Sequence, residues 1–152
     1  MEPARTQVEP TTGLQWGVPR SITLDASARE RLVRTLAEEM ARRPDVSFAY
    51  LFGSAAERNV FRDVDVAIWT TPEARPFADL DIAATLSRRV QWPVDVRRIN
   101  DAPVPFLFHA LRGHLLVVRD ESLLSGVMER TARQYHDMES LLRRATREAF
   151  AA

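Results

Sequence analysis

Apolar and polar positions change rhythm repeatedly along the chain. Leu32, Val33, Leu36 and Met40 fall three and four residues apart, which predicts an amphipathic helix. It starts near Asp25 or Ser27 and ends at Arg42-Arg43-Pro44; Ser27 with Glu30 three residues on has the form of a capping box. Val46 to Phe52 is apolar almost throughout, as a buried strand is, and Gly53-Ser54 closes it. A polar connection runs from Ala55 to Arg62. Asp63-Val64-Asp65-Val66-Ala67-Ile68 then alternates with period two, which predicts a strand with Val64, Val66 and Ile68 turned to the core. Pro72 and Pro76 bracket a loop. Phe77 to Val90 is a predicted helix, with Phe77, Leu80, Ala84 and Leu86 apolar. Pro93 precedes a strand from Val94 to Ile99. A short helix from Pro103 to Leu111 is stopped by Gly113, and Leu115 to Val118 forms a short strand. Glu121 to Ala149 is a long helix with Leu124, Val127, Tyr135, Met138 and Leu142 along it. Its distal end, Leu141 to Phe150, either extends past the sheet or belongs to the core. The order α-β-β-α-β-α-β-α predicts an α/β (α+β) fold: a small mixed sheet with helices packed on it and a long C-terminal helix.

Residues 1–20 carry Pro3, Pro10 and Pro19 and predict a flexible arm, its end pinned by Trp16. Residues 21–152 then form one domain, since a domain takes about 150 residues. Hydrophobic residues at 45% suffice for a core without covalent staples. The chain has no Cys, which excludes disulfides, thiolate-bound metals and a thiol nucleophile. It also has no Lys, so Schiff-base chemistry and a Walker-type lysine are excluded. The 21 basic and 21 acidic residues cancel, and direct nucleic-acid binding is not expected. No apolar run approaches the roughly 18 residues of a membrane helix. A secretory leader is missing too, and a cytoplasmic protein is expected.

Two D-x-D pairs occur, and geometry separates them. Residues i and i+2 of a strand share a face about 7 Å apart. In a helix they stand about 200° apart and cannot converge on one ion. Asp79 and Asp81 lie on a helical pattern and read as solvated charges. Asp63 and Asp65 lie on a strand pattern. Asp95, between Val94 and Val96, shares their face if the strands pair with matched parity. Three carboxylates on one sheet face repel one another unless cations compensate, and Mg²⁺ is the fitting ion for oxygen ligands. The simpler reading of Asp95 is an ion pair with Arg97 or Arg98. Gly53-Ser54 can bring backbone N–H groups and a hydroxyl against a phosphate, or it is an ordinary turn. Arg58 and Arg62 flank the site, to bind phosphates or to face water. His109, His114 and His136 are scattered without metal-ligand spacing.

Together, Leu51-Phe52-Gly53-Ser54-Ala55-Ala56, Asp63-Val64-Asp65-Val66-Ala67 and Val94-Asp95-Val96 resemble the DNA polymerase β-type nucleotidyltransferase superfamily, and within it the minimal nucleotidyltransferases. The resemblance spans roughly residues 30–119. It implies ATP as substrate, its triphosphate held at Gly53 and Ser54 with Arg58 beside them. It also implies two Mg²⁺ ions on Asp63 and Asp65, with Asp95 as the third carboxylate and the group that helps deprotonate the acceptor. The eight residues between Ser54 and Asp63 are fewer than is usual there. The C-terminal third, with Gly113-His114-Leu115-Leu116 and Arg133-Gln134-Tyr135-His136-Asp137, looks like the antitoxins paired with HEPN-domain toxins. That likeness implies AMP transfer onto a toxin tyrosine. The alternatives are an antitoxin that masks its toxin by contact, and nucleotide transfer to a small molecule such as an aminoglycoside.

Overall fold

A computed structural model describes residues 21–151; the expected arm, with Trp16, lies outside them. The chain runs β1 (Ile22–Thr23), α1 (Ala26–Ala41), β2 (Val46–Phe52), α2 (Ser54–Glu57), β3 (Val60–Phe61), β4 (Val64–Thr70), α3 (Ala78–Val90), β5 (Val94–Arg98), α4 (Val104–Ala110), β6 (His114–Val118) and α5 (Glu121–Ala149). The main sheet has the order β5-β4-β2-β6, and β1 and β3 form a separate small ribbon. β4 pairs with β5 in parallel, whereas β2 is antiparallel to both its neighbours. A parallel pair needs a crossover, and α3 supplies it.

β2 is buried along its whole length because helices cover both faces of the sheet. On one face Val46, Ala49 and Leu51 meet Leu36 and Met40 of α1 and Ile82 and Leu86 of α3. On the other, Phe48, Tyr50 and Phe52 meet Leu107 and Ala110 of α4 and Leu124 and Val127 of α5. Each such large side chain taken from water contributes about 1.5–3 kcal/mol.

Four local expectations need correction. The capping box does not form: Asp25 caps α1 by accepting from the Ala28 N–H at 2.7 Å, and Ser27 Oγ accepts from Arg31 instead. In α3 the inward residues are Ile82 and Leu86, while Phe77 (72% exposed) and Leu80 (63%) face water. The four-residue spacing of Ile82 and Leu86 sets the stripe, and Leu80, two residues from Ile82, falls on the far side. The polar connection from Ala55 to Arg62 holds one helical turn and a two-residue strand. Asp63 lies just before β4, after the bend at Arg62, and not within a strand. In α5, Leu124, Val127 and Thr131 are buried and Tyr135 stacks on Phe108 with ring centroids 3.8 Å apart. Beyond Ser140 every described residue is exposed, Leu141 and Leu142 of the helix and Phe150 just past it included, so the distal end leaves the core.

Candidate active site

The site lies where β2 and β4 reach the edge of the face covered by α4. Phe52, the last residue of β2, stands opposite Asp65. Gly53 then turns the chain with φ 71° and ψ −153°, a conformation open in practice only to glycine. Its missing side chain matters a second time: a Cβ there would lie 3.1 Å from Asp65 Oδ2. The carboxylate thus abuts bare backbone at the turn. Ser54 follows, half-buried, as the first residue of α2. Gly53→Ala is expected to destabilise the fold by about 1–3 kcal/mol from backbone strain alone. A thermal melt coinciding with wild type would show that the turn tolerates a side chain.

The connection from Ser54 to Asp63 is held at both ends by residues distant in sequence. Arg29 of α1 donates to the Arg58 carbonyl (2.8 Å) and the Ala56 carbonyl (2.6 Å). Trp92 Nε1 donates to the Arg62 carbonyl at 3.1 Å, fixing the residue before Asp63. Pairing of β1 with β3 adds a third restraint. Arg29 and Trp92 escaped the sequence reading, since neither sits near the loop in any local pattern. Only Trp92, next to Pro93 at a strand start, hinted at such work.

Parity between β4 and β5 is matched: Asp65 aligns with Asp95, between the buried pairs Val64–Val94 and Val66–Val96. Asp65 is half-buried, Asp63 and Asp95 exposed. Burial, with repulsion from Asp95 and then Asp63, raises the Asp65 pKa above the ordinary carboxylate value; Arg97 acts in the opposite sense. All three acids therefore share one electrostatic field. Asp95 Oδ2 also accepts from Arg97 Nε at 3.0 Å, so the ion pair weighed in the sequence is present as well. Among the described residues no three carboxylates or imidazoles close around one ion-sized space. The donor chemistry nonetheless fits a hard divalent cation: oxygen ligands only, mutually repelling, beside an open backbone turn. Asp81, by contrast, pairs with Arg43 at 2.6 Å on the helix side. Arg58 is exposed at the end of α2, and no ion pair joins it to the acids among the described residues. His109 meets the edge of Phe52 with ring centroids 6.1 Å apart, on the α4 side of the site.

Comparison with known proteins gives a family and a fold. The model of the family "Polymerase beta, Nucleotidyltransferase" matches residues 34–122. No significant match was found among curated protein sequences. Among solved structures the chain is similar to one from the complex of tri-AMPylated Shewanella oneidensis HEPN toxin with MNT antitoxin. There the identity is 17%, the TM-score 0.55, and 83% of this chain and 98% of that chain are covered. It is similar also to a chain of the toxin–antitoxin pair MntA-HepT (16% identity, TM-score 0.55, covering 84% and 100%). A third likeness is to a toxin–antitoxin structure with AMP-PNP (19% identity, TM-score 0.57, covering 85% and 100%). These likenesses show the fold.

Proposed function

This chain belongs to the polymerase beta nucleotidyltransferase family, and from that premise we propose that it is a Mg²⁺-dependent adenylyltransferase acting as an antitoxin: it moves AMP from ATP to a tyrosine of a HEPN toxin. The observation that carries the transferase reading is the alignment of Asp65 with Asp95 beside the bare Gly53 turn. The toxin as acceptor draws on the likeness to chains from HEPN toxin–antitoxin complexes.

Asp63 and Asp65 would hold the metal, with Asp95 completing the set. Bound Mg²⁺ supplies charge neutralisation for the attacking and leaving oxygens of an in-line displacement. Gly53 and Ser54 orient the β- and γ-phosphates, with Arg58 available at the outer end of α2. The acceptor oxygen forms a bond to the α-phosphorus as the bond to pyrophosphate breaks, and Asp95 takes the hydroxyl proton. Arg29 and Trp92 contribute by holding the loop in one position, because displacement by an ångström at a reacting centre costs rate heavily. Among the described residues no helix is long and apolar enough to cross a membrane.

A second reading has one observation in its favour. Asp95 is engaged by Arg97 and the acids do not close on a common point, as suits an antitoxin that masks its toxin by contact. Incubation with α-labelled ATP, Mg²⁺ and a purified HEPN partner separates the two. The expected result is label on the toxin and an AMP-sized mass increment on a tyrosine-containing peptide. A stable complex without label would favour masking.

A further inference from the structure

We propose that Arg97 is the internal cation of the metal-free site, a latch that holds Asp95 and yields it to the incoming divalent ion. The inference rests on the reading of Asp63, Asp65 and Asp95 as metal ligands. Arg97 lies two residues beyond Asp95 on β5, where it aligns with Ala67 of β4 on the face that also carries Asp65. Its Nε reaches Asp95 Oδ2 at 3.0 Å, with the two side chains 57% and 52% exposed. The guanidinium also lies 5.6 Å from the centre of the Phe106 ring. That ring is itself braced edge-on by Phe52 at 5.5 Å. The cation is therefore supported from two sides: an acid it can lose and an aromatic face it keeps.

This arrangement does two things at once. Three acids in one field need positive charge when no ion is bound, and Arg97 opposes the repulsion that acts on Asp65. The same contact occupies one oxygen of Asp95, the acid that aligns with Asp65. A divalent ion that takes Asp95 Oδ2 as a ligand competes with Arg97 for that oxygen. Rotation of the Asp95 carboxylate then leaves the guanidinium on Phe106, at the rim of the site, with its donors free. An exposed ion pair shifts an equilibrium by about fivefold at most, so the latch tunes metal affinity without abolishing it.

The test measures Mn²⁺ binding by electron paramagnetic resonance, without nucleotide, on the full chain. Four proteins are compared: wild type, Arg97→Gln, Asp95→Asn and the double variant. The expected result is tighter Mn²⁺ binding by Arg97→Gln, by about two- to fivefold. No such gain is expected when Asp95 is already Asn, because no latch remains to be released. Equal affinity of wild type and Arg97→Gln overturns the latch alone. A gain that persists in the Asp95→Asn background also overturns it, since Arg97 would then act only as a diffuse positive charge. Absence of Mn²⁺ uptake by both wild type and Arg97→Gln overturns the metal-site reading, and the latch with it.

Discussion

Asp65→Asn is expected to lower nucleotidyl transfer by about a hundred- to a thousandfold, the scale on which loss of a preorganised charge-stabilising group is felt, while the metal-free fold holds or gains stability. The two halves of this result have one origin. Asp65 is the acid that the structure desolvates and surrounds with like charge, and its pKa is raised for those reasons. A raised folded pKa means that the native state binds its proton more readily than the unfolded chain. Its favourable contribution is complete below the unfolded value, near 3.8, and is lost as pH climbs through the folded value. At neutral pH the ionised Asp65 therefore opposes folding, and a neutral amide removes that opposition. The melting temperature of the variant should match or exceed wild type at neutral pH, with the gap closing in acid. Asp79→Asn, on α3, is the control and should retain activity. Wild-type transfer by Asp65→Asn would sink the metal assignment.

Gly113→Ala should give the largest loss of stability among single glycine replacements at the described positions. A Cβ at this position would lie 2.1 Å from the Leu51 carbonyl oxygen and 3.0 Å from its carbon, both backbone atoms of the central strand. No rotamer change can relieve that overlap; β2 and β6 would have to part where Leu51 faces His114. The expected cost is about 3 kcal/mol, the upper part of the usual range for overpacking, or a melting temperature lower by roughly 6–12 °C. Gly126→Ala provides the contrast. That glycine sits within α5 with nothing within 4 Å of a new Cβ, so alanine should stabilise by about 0.4–1 kcal/mol through reduced freedom of the unfolded chain. Equal melts for the two variants would show that the close approach at Gly113 relaxes freely.

What could be read from the sequence was whatever depended on local periodicity. Val64 to Ile68 alternates, and β4 lies there; Val46 to Phe52 is apolar throughout, and β2 is buried on both faces. Asp65 and Asp95 could be placed on one face because a strand's parity is a local property, given the pairing that the structure supplies. Asp63 could not be placed in the same way. The alternation continues through it, but it stands between the bend at Arg62 and the start of β4, just after Val60 and Phe61 pair with β1. A two-residue ribbon between segments so far apart leaves no periodic trace. The inward face of α3 is not legible locally for a related reason. Phe77 and Leu80 are as apolar as Ile82 and Leu86, and only the position of the sheet decides which pair is covered. Gly53 was legible as a turn, whereas its contact with Asp65 depends on the β2–β4 register.

β5 is an edge strand, hydrogen-bonded to β4 on one side only. An edge offers a row of unpaired backbone groups to any passing strand, and proteins guard such edges with charge and proline. Here Pro93 precedes the strand, and Asp95, Arg97 and Arg98 are its exposed residues. The carboxylate proposed for chemistry therefore stands among the charges that keep this edge from stacking against another copy. Stripping Asp95, Arg97 and Arg98 together would do more than silence a site. It would leave the free backbone groups of this edge without their flanking charges, and edge-to-edge pairing of copies is the expected consequence.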